Sequence, residues 1–376
     1  MPGRTQEALY ADIDLELSWS ESQLPQVERT KHVHALHPYL GKYVPQLVET
    51  FLRRYFKAGD TIYDPFVGSG TTLVESNVFG AHAYGCDISA FNCLLSQVKT
   101  TTYGLASLGM ALEVALEETR QAGPVDTPGC SPWLETWYSS HALGELLAYR
   151  NGIEALDDPA RDVTRVILSR SARSARLTTH FDLDFPRRPV RGAYYCHKHK
   201  RTCRPVDEAG KFLRRYTADT VRRLRSFAKV QTGAEVAVLH ADSRSVELPS
   251  KVTGVITSPP YPGLIDYHEQ HRYAYELLGL TDRRVDELGA AEEGTSRRAI
   301  DRYVDGIVEV LGNARTQLEG RGPIIIVVND SRQLYPEILS RAALTLEERL
   351  TRHVNRRTGR RAGEFYEDML ICVADG

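Results

Sequence analysis

The chain has few cysteines and no long apolar run. Its 6 cysteines are spread over 376 residues without the spacing of a disulfide framework, which favours reduced thiols in a reducing compartment. No segment approaches the roughly 18 consecutive apolar residues that a membrane-spanning helix needs, and the N-terminus carries no charged and then apolar leader. We therefore expect a cytoplasmic protein without a membrane partner.

A strong net charge is absent as well. The 47 Lys and Arg residues nearly balance the 49 Asp and Glu residues, and the net charge is −2. The field of the whole molecule therefore does not attract nucleic acid, so any such binding must come from a local basic surface. With 42% apolar residues, the chain can bury one large core or two smaller ones.

Short apolar runs alternate with segments of helical spacing near both ends of the chain, which predicts an α/β fold with a mostly parallel sheet. One helix is predicted at 71–79, directly after a glycine-rich loop, and Gly80 should end it. A longer helix is predicted around 300–318. The predicted strands are 61–63, 82–87, 234–242, 252–258 and 322–330, followed by a closing antiparallel hairpin around NRRTGRR (355–361).

Residues 101–233 interrupt this alternation with helix-like segments such as WLETWYSSHALGELLAYRNGIEAL (133–156). We therefore predict three parts. Residues 1–100 form the N-terminal half of the core with the cofactor motifs. Residues 101–233 form a largely helical, basic insertion that is a candidate target-recognition region, and residues 234–376 form the C-terminal half with the catalytic motif. Within the last part, the polar stretch 286–296 is predicted to be a loop.

Two motifs far apart in the chain each follow a predicted strand: DPFVGSGTT (64–72) and TSPPY (257–261). Parallel strands bring their carboxyl ends to one edge of the sheet, where such folds bind ligands. The polar residues that end apolar runs are Asp64, Asp87, Asp242 and Ser258. We therefore expect both motifs to meet in one site at that edge.

The first motif is typical of a nucleotide-binding loop. Gly68 and Gly70 let the backbone approach a ligand, and the helix starting near Thr71 directs amides and its positive dipole end at a negative group. No Lys follows the last glycine, which disfavours a triphosphate loop, and the dinucleotide fingerprint lacks its third glycine. Asp87, 19 residues after Gly68, is placed to accept hydrogen bonds from ribose hydroxyls. These features predict an adenosine cofactor that carries an amino acid.

The second motif suits a flat base with an exocyclic amine. The amine lone pair is delocalised into the ring, so the amine is a poor nucleophile until hydrogen bonds pull it toward tetrahedral geometry. Ser258 Oγ and the Pro259 carbonyl could accept the two amine hydrogens, and Tyr261 could stack on the flipped base. Pro260 completes the predicted catalytic loop. Methyl transfer would then be direct and would rest mainly on positioning.

These motifs, in this order, resemble those of the amino-group DNA methyltransferases that use S-adenosylmethionine. The resemblance covers HPYLGKYVP (37–45), DPFVGSGTT, Asp87, the 241–243 segment and TSPPY. In that family the position of Ser258 is Ser in most cytosine-N4 enzymes and Asp or Asn in most adenine-N6 enzymes. The resemblance therefore implies a site-specific DNA cytosine-N4 methyltransferase, with cofactor motifs ahead of the catalytic one as in the α arrangement.

The resemblance also implies a Rossmann-like class I methyltransferase fold, with a mostly parallel seven-stranded sheet that ends in an antiparallel hairpin. DNA is the implied partner, while a cognate restriction endonuclease and the oligomeric state stay open. The alternatives are an adenine-N6 DNA enzyme, an RNA guanine-N2 methyltransferase and a non-catalytic DNA-binding relative. The implied cofactor-binding residues are His37, Tyr39, Lys42, Asp64, Pro65, Phe66, Gly68, Gly70, Thr71, Thr72, Asp87, Ile88, Asp242 and Ser243.

Two basic segments are predicted to contact DNA phosphates. Between 165 and 204 the chain carries 11 Lys or Arg residues against 2 acidic residues, a bias that beside a base-modifying pocket favours a phosphate-contacting surface. A second cluster lies in the NRRTGRR segment. The predicted DNA-binding residues are Arg187, Arg188, Lys198, Lys200, Arg201, Arg356, Arg357, Arg360 and Arg361.

The segment YYCHKHKRTC (194–203) also raises the question of a zinc site. Cys196, His197, His199 and Cys203 lie close together in sequence, yet their spacing matches no common zinc module. Adjacent Cys and His residues also rarely reach the same tetrahedral ion. From the sequence we therefore favour a basic loop and predict no metal.

Overall fold

The computed structural model describes residues 16–20, 22–127, 129–180, 182–183, 186–354 and 365–375. Its centre is a seven-stranded sheet in the order β5-β2-β1-β6-β7-β9-β8, and a separate two-stranded sheet pairs β3 with β4. The strands are β1 (Thr61–Asp64), β2 (His82–Asp87), β3 (Tyr194–Cys196), β4 (Arg201–Cys203), β5 (Val236–His240), β6 (Gly254–Thr257), β7 (Ile324–Val328), β8 (Leu344–His353) and β9 (Tyr366–Ala374).

Helices cover the sheet and fill the segment between β2 and β5. They are α1 (Gln26–Arg29), α2 (Pro45–Tyr55), α3 (Thr71–Phe79), α4 (Ala90–Thr100), α5 (Leu105–Ala122), α6 (Pro132–Trp137), α7 (Ser140–Ile153), α8 (Ala160–Ala175), α9 (Gly210–Phe227), α10 (Tyr267–Gln270), α11 (Arg272–Leu278), α12 (Arg297–Gln317) and α13 (Tyr335–Arg341), with 3₁₀ turns at His32–Ala35, Arg284–Asp286 and Ala291–Glu293.

The sheet has the topology of a Rossmann-like methyltransferase. β5, β2, β1, β6 and β7 are parallel, whereas β9 is antiparallel to both β7 and β8. The strand order reverses between β1 and β6, so a crevice opens there at the carboxyl ends of the strands. The fold predicted from the sequence is confirmed, including the antiparallel pair at the C-terminus.

Glycines define the helix that follows the first motif. Gly70 precedes α3 with a φ of 76°, and Gly80 ends α3 with a φ of 88° while its N–H donates to the carbonyls of Asn77 and Ser76. Both φ values lie in the left-handed region, where glycine pays no side-chain penalty. The predicted bounds of this helix therefore agree with the structure.

The segment between β2 and β5 shares its hydrophobic core with the sheet-covering helix α4. Phe91 and Leu95 of α4 belong to the same buried cluster as Leu112 of α5, Ile167 of α8 and Leu213 of α9. The segment is thus packed into the methyltransferase core, although the division at 101 and 233 stays a prediction. Within the described ranges, no helix has the length and apolar character that crossing a membrane requires.

One predicted helical run is broken in the structure. The segment 133–156 forms two helices, α6 and α7, because the Ser139 hydroxyl accepts a hydrogen bond from the Ala142 N–H and caps a new helix. The continuous apolar spacing concealed this cap. The basic turn of the C-terminal hairpin, with Arg356, Arg357, Arg360 and Arg361, lies outside the described residues.

Candidate active site at the carboxyl edge of the sheet

A cavity opens at the carboxyl ends of β1, β2 and β6, with about 870 Å³ of empty space that includes the open solvent at its mouth. The residues of both sequence motifs that line it are Asp64, Pro65, Phe66, Val67, Gly68, Ser69, Thr71, Ser258 and Pro260. Tyr39, Lys42, Asp87, Ile88, Asp242 and Ser243 complete the predicted residues in the lining.

Asp64 joins the two motifs directly. Its Oδ1 accepts hydrogen bonds from Thr257 Oγ1 at 2.7 Å and from the Phe66 N–H at 3.1 Å, and its Oδ2 accepts one from Thr72 Oγ1 at 2.6 Å. Burial raises the pKa of this carboxyl group to about 6, although the donors of Thr72 and Thr257 oppose the shift. Because the protein already engages both oxygens, Asp64 chiefly fixes the loop geometry at the end of β1.

The glycine loop leaves two hydroxyl groups available. Ser69 Oγ and Thr71 Oγ1 are buried and have no hydrogen-bond partner among the described residues, and both residues line the cavity. A Cβ on Gly70 would come within 2.9 Å of Ser96 Oγ, so the loop packs tightly against α4. Buried polar groups are normally paired, so these two hydroxyls beside the start of α3 are available to a polar ligand in the cavity.

Asp87 ends β2 and keeps part of its accepting capacity. Oδ1 accepts from the Ser89 N–H at 2.8 Å, and Oδ2 accepts from the Gly68 N–H at 3.0 Å and from Asn92 Nδ2 at 3.1 Å. Burial raises the pKa of Asp87, and the three donors oppose that shift. A carboxylate has about four lone-pair sites, so Asp87 can accept a further hydrogen bond from a hydroxyl group in the cavity.

Asp242 and Ser243 brace the cavity from the end of β5. The Asp242 carboxylate accepts from Arg244 Nη2 at 2.6 Å and from Arg244 Nε at 3.0 Å, and these hydrogen bonds lower the pKa of Asp242. Ser243 Oγ donates to the Pro65 carbonyl at 2.5 Å. Ser243 therefore holds the first motif in place from the end of β5, which is separated from β1 by β2.

Lys42 supplies a cation on the N-terminal side of the cavity. Its Nζ donates to the His34 carbonyl at 2.6 Å, which leaves two further N–H donors. Burial, together with the nearby Arg223, lowers the pKa of Lys42 to about 8. Beside it, the Tyr39 and Tyr267 rings stack with centroids 5.6 Å apart. This side can therefore offer positive charge and an aromatic wall.

In the predicted catalytic loop, one hydroxyl hydrogen and one carbonyl are already engaged by other parts of the protein. Ser258 Oγ donates to the Val327 carbonyl of β7 at 2.9 Å. The Tyr303 hydroxyl of α12 donates to the Pro260 carbonyl at 3.0 Å. Ser258 is thus left as an acceptor, since its single hydroxyl hydrogen is engaged.

Tyr261 is anchored at its outer end. Its hydroxyl donates to Glu367 Oε1 at 3.3 Å, and Glu367 accepts from Arg352 Nε at 2.9 Å and from Arg352 Nη2 at 2.5 Å in a buried ion pair. Burial, reinforced by the negative charge of Glu367, raises the pKa of Tyr261 well above its usual value. Tyr261 is therefore a neutral donor at ordinary pH.

Some predicted site residues do not line this cavity. His37 is fully buried and pairs with Ser169 Oγ at 3.0 Å, and Thr72 is bonded to Asp64. The residues that do not line the cavity are His37, Gly70, Thr72, Pro259 and Tyr261. Their roles in cofactor or base binding stay predictions.

Sequence reasoning missed a third group of lining residues, contributed by helix α4 and by the segment from 267 to 288. They are Ser89, Asn92, Tyr267, Asp286, Glu287 and Leu288, together with Arg244. The predicted loop at 286–296 therefore begins at the cavity. Glu287 accepts from the Tyr267 N–H at 2.6 Å and pairs with His268 Nδ1 at 2.9 Å. The two histidines in YHEQH were the available signal.

Comparisons with known proteins agree with this geometry. A family model described as DNA methylase matches residues 6–97, the segment that contains the glycine loop and Asp87. The type II methyltransferase M.MjaII of Methanocaldococcus jannaschii is 36% identical over 97% of the chain and 84% of that protein. The chain belongs to the DNA methylase family.

Two other similarities are weaker. The type II methyltransferase M.MvaI of Kocuria varians is 37% identical to this DNA methylase over 82 residues, which is 21% of the chain and 18% of that protein. Among solved structures, the rRNA methyltransferase aviRa from Streptomyces viridochromogenes matches over 90% of this chain and 88% of that chain, with 12% identity and a TM-score of 0.35. A structural likeness this weak says nothing about the substrate.

The cofactor of this DNA methylase is S-adenosylmethionine, which when bound supplies a methyl group attached to a positively charged sulfur. The lining fits this molecule, because the unpaired hydroxyls of Ser69 and Thr71 stand at a helix N-terminus that favours a carboxylate. Asp87 has accepting capacity for ribose hydroxyls, and Phe66 and Ile88 contribute apolar surface.

The predicted DNA-binding residues that lie in the described ranges are exposed. Arg187, Arg188, Lys198, Lys200 and Arg201 all face solvent. None of these five forms an ion pair with another described residue. They are thus free to meet phosphate groups.

Proposed function

We propose that this DNA methylase methylates the exocyclic N4 amine of cytosine. The observation that carries the proposal is the Ser258 hydroxyl, which lines the cavity and donates its hydrogen to the Val327 carbonyl. With that hydrogen engaged, Oγ can only accept. Ser258 also stands in TSPPY, which resembles the motif of cytosine-N4 enzymes.

The reaction needs two acceptors for the two amine hydrogens. Ser258 Oγ is one of them. The Pro260 carbonyl already accepts from Tyr303, whereas the Pro259 carbonyl accepts no hydrogen bond from the residues that the structure describes. Ser258 and Pro259 are therefore the proposed acceptors, and together they would turn the nitrogen lone pair toward the cofactor.

The target base must leave the DNA duplex to reach such a cavity. Tyr261, with its hydroxyl fixed on Glu367, is proposed to stack on the flipped base. Stacking on an aromatic side chain contributes about 1–3 kcal/mol per base. The exposed basic residues between 187 and 201 would hold the flanking phosphates, with the insertion at 101–233 as the proposed target-recognition region. A cognate restriction endonuclease stays open.

The direct test is the chemical identity of the product. Purified protein is incubated with labelled S-adenosylmethionine and mixed-sequence DNA, and the DNA is then digested to nucleosides for mass analysis. Labelled N4-methylcytosine supports the proposal. Labelled N6-methyladenine would assign the enzyme to the other branch of the family, and label only in an RNA substrate would overturn DNA as the substrate.

A further inference from the structure

Four potential metal ligands lie close together in the basic segment. The proposed activity assigns no role to these four side chains. The ligand atoms of His180, Cys196, His199 and Cys203 all lie within 4.8 Å of one another. Cys196 Sγ is 3.7 Å from both His180 Nδ1 and His199 Nδ1, and Cys203 Sγ is 3.6 Å from His199 Nδ1. A zinc ion with Zn–S bonds of about 2.3 Å and Zn–N bonds of about 2.05 Å separates tetrahedral S and N ligands by roughly 3.6 Å. The observed separations therefore match a tetrahedral edge.

The set differs from the one that sequence spacing suggested. His197, next to Cys196, is absent from the cluster, and its place is taken by His180 from the chain that follows α8. The spacing becomes His-x15-Cys-x2-His-x3-Cys. This arrangement removes the earlier objection, because no two adjacent residues need to reach the same ion.

Local structure explains how the hairpin presents these ligands. β3 and β4 pair in antiparallel register, with Cys196 opposite Arg201 and Cys203 opposite Tyr194. Both sulfurs are buried, whereas residues 197–202 of the turn and second strand are exposed. The side chains of the hairpin therefore place two thiols inward and the charged groups outward.

The hairpin has little else to stabilise it. Its two strands have 3 residues each, and together they form a sheet that is separate from the seven-stranded sheet. An isolated two-stranded hairpin is marginally stable in water. A metal ion bound by both strands and by His180 would tie the hairpin to the end of α8, which packs in the main core.

Ordinary hydrogen bonding explains only part of the arrangement. The Tyr194 hydroxyl lies 2.9 Å from His180 Nδ1 and also accepts from the His180 backbone N–H at 3.0 Å. Thiols, however, are weak hydrogen-bond donors. They give no reason for two sulfurs and two imidazoles to converge from separate parts of the chain.

A second group of candidate ligands differs from the first, because its carboxylate is already paired with a lysine and a histidine of the protein. His32, His34 and Glu75 also lie within ligand distance of one another. Glu75, however, already accepts from Lys31 Nζ at 3.0 Å and pairs with His34 Nε2 at 2.6 Å. A lysine ammonium occupies the place of a cation there, whereas no Lys or Arg pairs with the four atoms of the hairpin cluster within the described residues.

We propose that His180, Cys196, His199 and Cys203 form a structural zinc site. Two thiolates and two neutral imidazoles are a typical ligand set for Zn²⁺. Binding displaces the two thiol protons, and the two sulfur charges then balance the charge of the ion. The ion holds the turn that carries Lys198, Lys200 and Arg201.

Metal content of the full chain, purified without a histidine tag from zinc-supplemented cells, is the first test. Mass spectrometry should find one zinc per chain in the wild type. His199→Ala and Cys203→Ser should lose it, while the matched controls His197→Ala and Cys130→Ser should retain it. A metal-free wild type overturns the proposal, and so does a loss in His197→Ala equal to that in His199→Ala.

A second measurement avoids variants that fail to fold. Wild-type protein is stripped with chelator under reducing conditions and titrated with Co²⁺. Visible bands of a tetrahedral ion and near-ultraviolet thiolate charge-transfer bands are expected, both reversed by added Zn²⁺. Absence of these bands, or a Cys196–Cys203 disulfide in protein isolated without added thiol, would show that the cluster is not a metal site. Tyr194→Phe should keep the bands, because the phenol is not a ligand.

Discussion

The proposed cofactor half and the proposed catalytic half of the cavity both present oxygen acceptors, but they do so by opposite means. In the cofactor half, the buried carboxylates of Asp64 and Asp87 accept hydrogen bonds from surrounding donors. In the catalytic half, the neutral hydroxyl of Ser258 gives its hydrogen to a backbone carbonyl. The first half depends on charge and should respond to pH near neutrality, whereas the second depends on orientation and should not.

The largest expected effect is a loss of methyl-transfer rate without a loss of cofactor affinity. Ser258→Ala removes an interaction that strengthens in the transition state, so the single-turnover rate of methyl transfer should fall about 10²-fold or more. Affinity for S-adenosylmethionine should stay near that of the wild type. Rapid-quench assays with labelled cofactor measure the rate, and the exposed Ser245→Ala is the matched control. A near wild-type rate in Ser258→Ala would remove Ser258 from the reaction.

Asp87→Ala should have the opposite pattern of effects, with weaker cofactor binding and a less affected rate of methyl transfer. Hydrogen bonds to a charged group contribute about 1.5–3 kcal/mol each, which corresponds to roughly 10- to 100-fold in affinity for one lost bond. Calorimetry should show that weakening, with the single-turnover rate at saturating cofactor less affected. Unchanged affinity would mean that Asp87 serves only the Gly68, Ser89 and Asn92 contacts.

Asp64 allows the charge-dependent half to be tested through the pH dependence of the unfolding free energy. Its pKa in the folded state, about 6, lies above the ordinary value of 3.8, so the folded state binds the proton more tightly than the unfolded chain. The resulting contribution to stability is present below pH 4 and is lost as the pH rises toward 6. Relative to Asp64→Asn, the wild type should therefore lose unfolding free energy across that interval in denaturant titrations. Parallel pH curves for the two proteins would contradict the shift.

The smallest expected effect concerns Lys42. With a pKa of about 8, this amine is mostly protonated at pH 7 and mostly neutral at pH 9. If it pairs with the cofactor carboxylate, cofactor affinity should fall severalfold more over this interval in the wild type than in Lys42→Met. The titration of the cofactor's own amino group is common to both proteins and cancels in the comparison. Lys57→Met, at an exposed position, should behave like the wild type.

The cofactor half was largely predictable from the sequence, because its elements are local. Asp64, the glycine loop and α3 follow one another without interruption, and strand-end residues reveal a shared sheet edge. The supports of the catalytic half were not predictable. Val327, Tyr303 and Glu367 come from β7, α12 and β9, and only the folded sheet brings them to TSPPY.

The hairpin cluster failed to emerge from the sequence for the same reason. Proximity along the chain selected His197, whereas the fold brings His180 across from the end of α8. A search by spacing uses only separation along the sequence. It contains no information on which distant segments the fold brings together. Local patterns therefore named three residues of the cluster and one histidine outside it.

The hydrogen bond from Thr257 to Asp64 has a consequence for redesign of this enzyme. It runs from the residue before Ser258, the proposed catalytic serine, to the first residue of the glycine-rich motif, across neighbouring strands. A graft that exchanges the catalytic tetrapeptide to change the target base must therefore keep a hydroxyl at 257. Without that hydroxyl, the grafted motif would disturb the cofactor loop. A failed change of specificity would then be wrongly attributed to the choice of motif.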